Sequence, residues 1–148
     1  MQVKKLRHPV DGEDYLVVAN QVVDGPSRLA SSFSEAERAF VRALLEAIAA
    51  DEDSALSSHA AFEVARVGAQ VAEVDAAGAA TGACRQVRLG AAEAERVLQR
   101  LSEDRWLTHR PGEKNYALGP RALAELRVFL GDLGGASAKT REYLRAAR

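Results

Sequence analysis

Cysteine is nearly missing from this chain, and that bounds its chemistry first. Cys84 is the single cysteine among 148 residues, so no internal disulfide can form. With only His8, His59 and His109 beside it, a cysteine-rich zinc module lacks ligands, and His59 and His109 have no partner at metal-binding spacing. Long apolar runs are missing too. Nothing approaches the ~20 consecutive apolar residues of a spanning helix, and Lys4, Lys5 and Arg7 are followed by no apolar signal core. No membrane association is expected. There is also no Gly-rich phosphate loop, no pair of catalytic carboxylates and no Ser/His/Asp arrangement with supporting context. The expectation is therefore no catalytic residue, no metal ligand and no cofactor.

What is present suits a folded module. Hydrophobic residues make up 47% and charged residues 28%, and a chain of this length buries roughly 68–70% of the surface its unfolded form exposes. The net charge of −1 hides an asymmetry. Residues 1–104 carry 11 Lys and Arg against 17 Asp and Glu, net −6, whereas residues 105–148 carry 9 against 4, net +5. Only the last third is able to attract phosphate.

Along the chain, Met1 to Gly12 shows no usable period, whereas Tyr15-Leu-Val-Val-Ala-Asn20 reads as one strand. Asp24-Gly25-Pro26-Ser27 predicts a turn. Ser34-Glu-Ala-Glu37 is a capping box, and behind it Phe40, Ala43, Leu44, Ala47 and Ile48 share a face, so a helix is predicted over 34–50 and a stop at Asp51-Glu-Asp53. Ser57 or Ser58 is expected to cap a second, short helix that buries Ala61, Phe62, Ala65 and Val64. Residues 60–83 hold ten alanines, with Gly68, Gly78 and Gly82 among them. The stretch 69–87 therefore reads as an Ala/Gly-rich insertion, partly helical and poorly ordered, with Cys84 an exposed thiol rather than a nucleophile. Ala94, Val97, Leu98 and Leu101 repeat at helical spacing and predict a third helix over about 90–104. Two short runs, Trp106–His109 and Asn115–Leu118, joined through Pro111-Gly112, predict a hairpin. Gly119-Pro120 opens a fourth helix with Leu123, Leu126, Phe129, Leu130 and Leu133 on its apolar side, closed by Gly134-Gly135. Residues 134–148 form a basic tail, read as disordered or as a detached helix.

The expected fold class is mainly α with a small β-hairpin, and three helices followed by a hairpin is the order of a winged helix. Such domains read DNA with the third helix or hold another protein. Over 88–105 four arginines meet four acids, so the third helix lacks the net positive charge that phosphate contact rewards. The hairpin is more basic, and Arg105, Arg110, Lys114 and Arg121 are the candidate nucleic-acid contacts. Trp106, Leu107 and Tyr116 either pin the hairpin to the helices or face a partner. The core is expected to gather Phe40, Leu44, Leu98, Leu101, Trp106 and Leu118 beneath the hairpin.

Specific residues carry a resemblance. Ala91-Ala-Glu-Ala-Glu-Arg-Val-Leu-Gln-Arg-Leu101, Trp106-Leu107 and Tyr116-Ala-Leu-Gly-Pro-Arg-Ala-Leu-Ala-Glu-Leu126 resemble the second winged helix of the non-structural maintenance of chromosomes element 1 family. Tyr15–Asn20, Leu29–Phe33 and Ser34–Phe40 are similar to the segment just ahead of it, so the resemblance spans roughly 15–133. It implies a nuclear subunit of the structural maintenance of chromosomes five/six complex. Such a subunit binds a MAGE-type winged-helix partner and a kleisin, and acts in DNA repair by homologous recombination.

The resemblance also implies a ubiquitin-ligase RING, which holds two zinc ions at about four Cys or His ligands each. Four such residues, His8, His59, Cys84 and His109, occur in the whole chain, so the RING is expected to be absent and the chain inactive alone. The implied division is 1–26 as a strand-containing remnant of a first winged helix, 27–133 as the winged helix with its insertion, and 134–148 as the tail. The remnant strand would present an unpaired edge. The leading reading is a non-catalytic protein-interaction module, which should expose an apolar patch. The alternative is a nucleic-acid binder using wing and tail, with nonspecific DNA contact.

Overall fold

A helix starts where its capping residues dictate. Glu37 N–H donates to Ser34 Oγ at 3.2 Å and Ser34 N–H donates to Glu37 Oε1 at 3.1 Å, so two orphan donors of the first turn are satisfied reciprocally. The computed structural model describes residues 2–19, 33–109, 112 and 114–146. In it, α1 runs Glu35–Ala50 and buries Phe40, Val41, Leu44, Leu45, Ile48 and Ala49. The expected stop at Asp51 is present. A two-residue strand, β3 (Ala55–Leu56), follows, and Ser57 then caps α2 (Ser58–Val67) through Ala60 N–H at 3.1 Å. Ala61 and Ala65 are buried as expected, while Phe62 and Val64 pack half-buried against the core.

The third helix, α3 (Ala91–Glu103), buries Ala94, Val97, Leu98 and Leu101. It leads into β6 (Leu107–His109) and β7 (Tyr116–Leu118), the expected hairpin, and β3 adds to β7 to make a sheet of order β3-β7-β6. Phe40, Leu44, Leu98, Leu101, Trp106 and Leu118 belong to a single buried cluster. The molecule is mainly helical with small sheets.

Five expectations need correction. Met1 to Gly12 contains a strand, β1 (Gln2–Arg7), paired antiparallel along its whole length with β2 (Asp14–Ala19), so the predicted strand does have a sheet. Its alternation was hidden because Lys4, Lys5 and Arg7 interrupt the apolar pattern. Residues 69–87 are neither helical nor irregular. Two strands, β4 (Ala69–Val74) and β5 (Ala80–Val87), form an antiparallel hairpin with a register irregularity between Ala72 and Val74; Gly78 takes a φ of 81° in the connecting turn and Gly82 one of 79° within β5 opposite the irregularity, values that a helix does not accept. The strand β3 was too short to leave a pattern. The fourth helix is broken at Leu126 into α4 (Pro120–Glu125) and α5 (Arg127–Asp132). Finally, the tail is docked: α6 (Ala138–Ala146) buries Leu144 in the core and Thr140 against α1. The predicted turn at 24–27 and the family-like stretch Leu29 to Ser32 lie outside the described residues.

Candidate interaction surface

The surface around β6 and β7 is set by how α3 ends. Trp106 N–H reaches back to Leu101 O at 2.9 Å and Arg105 N–H to Ser102 O at 3.2 Å, the paired bonds of a Schellman ending. That ending needs one residue in the left-handed region, and here Arg105 supplies it, with φ 63°. The reversal turns Trp106 inward and leaves Arg105 exposed.

Trp106 and Leu107 are 4% and 1% exposed, so they are core residues. Burial of an indole and a leucine beneath the hairpin is worth more to folding than either would be left at the surface. Tyr116 is half-buried and meets His109 edge-to-face at 5.4 Å. Between α3 and β6 runs a groove of about 730 Å³ walled by Glu95, Gln99 and Glu103 on the helix and Thr108, His109 and Tyr116 on the hairpin. Arg105 also lines the groove, but Glu95 and Glu103 outnumber it and make that wall unfavourable to phosphate.

Three of the four basic candidates are described, and their side chains have different surroundings. Lys114 Nζ is held by Asp51 Oδ2 and Asp53 Oδ2, each at 2.8 Å. Those hydrogen bonds to Asp51 and Asp53 push the ammonium well above its ordinary lysine value. Arg121 stacks over the Trp106 ring at 4.4 Å and donates Nε–H to Glu125 Oε1 at 3.3 Å. Arg110 lies outside the described residues. Arg105 makes no ion pair among the described residues. It shares with Arg121 a cleft of about 330 Å³ that runs along β2, lined also by Tyr15, Leu16, Val18 and Glu125.

Sequence reasoning missed His8 and the exposed face of β2. His8 is fully buried and bonds to Leu118 O at 2.8 Å. Its Nδ1 lies 3.2 Å from Asp11 Oδ1 without hydrogen-bond alignment. Nothing in the flanking sequence marks a lone histidine for burial. Leu16 and Val18 were detectable, because β2 is a continuous apolar run rather than an alternating one. Among the described residues no group of His, Cys, Asp and Glu is placed to hold a metal, and Cys84 is exposed.

A family described as the Nse1 non-SMC component of the SMC5-6 complex matches residues 1–126. The chain belongs to the Nse1 family. The match takes in the β1–β2 hairpin, the three helices, the small sheet and α4. Among solved structures, this Nse1-family chain is similar in fold to a chain of an Nse1-Nse3-Nse4 complex, with TM-score 0.65 and 22% identity over 89% of its own length. It spans about half, 49%, of that solved chain. No curated protein matches it.

Proposed function

We propose that this Nse1-family chain is a non-catalytic assembly module of an SMC5-6-type complex. Residues 27–133 are read as a winged helix, because among the described residues α1, β3, α2, α3, β6 and β7 follow in the order helix, strand, helix, helix, strand, strand, with β4 and β5 inserted between the second and third helices. Its partners are a MAGE-type winged-helix subunit and a kleisin, its compartment the nucleus, and its process DNA repair by homologous recombination. The observation that carries this reading is the family match over residues 1–126, and the fold likeness to a chain from a complex with Nse3 and Nse4 supports it. The ligase chemistry of the wider family is not assigned to these residues.

Co-expression with Nse3-type and Nse4-type subunits tests the proposal. A stoichiometric complex on size exclusion is expected, and independent elution of the chain overturns it. The alternative of DNA binding through wing and tail has less support, since Lys114 and Arg121 are already engaged by Asp51, Asp53, Glu125 and Trp106.

A further inference from the structure

The β1–β2 hairpin violates the rule that a sheet covered on one side is polar on the other. Its inner face buries Leu6 and Val17. Its outer face carries Lys5, Arg7 and Asp14 at one end, as the rule expects, yet Val3, Leu16 and Val18 stand at the other end 63%, 77% and 52% exposed. Val3 and Val18 sit directly opposite one another in the register, with Leu16 two residues along the same strand. An uninterrupted Leu-Val-Val is the pattern of a strand covered on both faces, and among the described residues only one face is covered.

The two edges of this hairpin are treated differently. β1 carries Lys4, Lys5 and Arg7, and such charges keep an edge from pairing with a foreign strand. β2 carries Leu16, Val17 and Val18, with no charge and no proline among them. Backbone geometry leaves that edge competent to pair. His8 N–H donates to Glu13 O at 2.8 Å, so by antiparallel alternation the bonded pairs continue as Leu6 with Tyr15 and Lys4 with Val17. Leu16 and Val18 then turn their N–H and C=O groups outward. The cleft beside them is lined by four consecutive residues of β2 and, among the described residues, none of β1; of its charged groups Asp104 pairs with Arg100 and Glu125 with Arg121, which leaves Arg105 exposed and without an ion pair among the described residues.

We infer that the edge of β2, which pairs with no described strand other than β1, accepts an extended segment of a protein partner. The segment pairs main chain to main chain with Leu16 and Val18, is apolar at alternate positions, and presents an acidic side chain to Arg105. Strand addition supplies affinity through the backbone and selectivity through alternate side chains. The uncapped apolar face sets the first requirement and the unpaired guanidinium the second. This deepens the assembly reading, on which it rests for a protein rather than a nucleic acid as occupant.

The test uses the full chain against a displayed library of random peptides about ten residues long, sufficient for one strand. Selected peptides are expected to alternate β-branched with polar residues, to contain Asp or Glu, and to protect the Leu16 and Val18 amides from hydrogen exchange. Val18→Lys and Arg105→Gly should each weaken them about tenfold, the second by removing charge at a position whose left-handed backbone glycine tolerates well. Val128→Lys, at an exposed residue on α5, should leave affinity unchanged. Failure to select any peptide overturns the inference, as does binding indifferent to Val18→Lys and Arg105→Gly. Self-association of the chain that Val18→Lys abolishes also overturns it, because the occupant is then a second copy. None of these outcomes touches the assembly proposal, which stands or falls on complex formation with the Nse3-type and Nse4-type subunits.

Discussion

The imidazole of His8 donates its Nε2–H to the carbonyl oxygen of Leu118 at 2.8 Å, across 110 residues of sequence. A carbonyl only accepts, so the direction of this bond is fixed. It fastens the β1–β2 hairpin to β7, and both residues are fully buried. His8→Ala should remove the bond and open a cavity, lowering stability by about 2–4 kcal/mol. Denaturant melts check the size, and faster amide exchange in β1 and β2 than in α3 checks the location.

Thr140 locks α6 to α1. Its Oγ1 donates to Ala49 O at 2.8 Å, which leaves the Ser54 hydroxyl, 2.7 Å away, to donate to Thr140. Thr140→Val keeps the shape and strands Ser54, itself buried at φ 52°. A loss of about 1–3 kcal/mol is expected in thermal or denaturant unfolding. An unchanged melt would mean that the tail is not part of the cooperative unit.

Gly119 is required by close approach and not by an unusual dihedral. A Cβ there would lie 2.2 Å from the carbonyl oxygen of Arg105, which is backbone held by the Schellman ending. Gly119→Ala should push the β7–α4 junction away from the Arg105–Trp106 backbone, costing about 1–3 kcal/mol or more. Gly131→Ala, where a Cβ meets nothing within 4 Å, serves as the neutral control.

The β1–β2 turn has a defined response to pH. Burial alone would raise the Asp11 carboxyl, but hydrogen bonds from Tyr15 Oη at 2.6 Å and from Glu13 N–H at 2.9 Å, with His8 nearby, outweigh it and hold the group below its ordinary value of 3.8. A depressed carboxyl stabilises the folded state above its unfolded value, and that contribution disappears as pH falls through the folded one. The hydrogen bond to Asp11, with burial adding to it, raises the Tyr15 phenol above 10.0. The phenol's contribution is thus complete below 10.0 and fades as pH rises through the raised value. Between about pH 5 and 9 neither Asp11 nor Tyr15 changes its contribution. Tyr15 ring resonances followed by NMR should show an acid limb below that window, and Asp11→Asn should abolish it.

Duplex DNA should bind weakly. With Lys114 and Arg121 already engaged, titration at two salt concentrations should give a log–log slope smaller in magnitude than about 2. A steeper slope, flattened by Arg105→Gly, would restore the nucleic-acid reading.

The local grammar of the chain was legible before any fold was known. Ser34 with Glu37, Ser57 and Gly119-Pro120 mark helix starts because caps act over a single turn. The repeats Phe40–Ile48 and Ala94–Leu101 select buried faces because helical periodicity is a property of neighbours in sequence. Burial of Trp106 was one of two open readings, and packing decided between them. Of the candidate site, Arg105 and Arg121 were legible as charges, but nothing in the residue pattern said that Arg121 spends its guanidinium on Trp106 and Glu125, or that Lys114 belongs to Asp51 and Asp53.

By itself, then, the chain's order of residues determined where helices begin and which stripe of each is oily. Tertiary structure alone decided that Gln2–Arg7 pairs with Asp14–Ala19, that 69–87 stands up as a hairpin, and that the tail seats Thr140 on Ala49. These are pairings between distant segments, whose energies come from hydrogen bonds and contacts that neither partner's own sequence encodes.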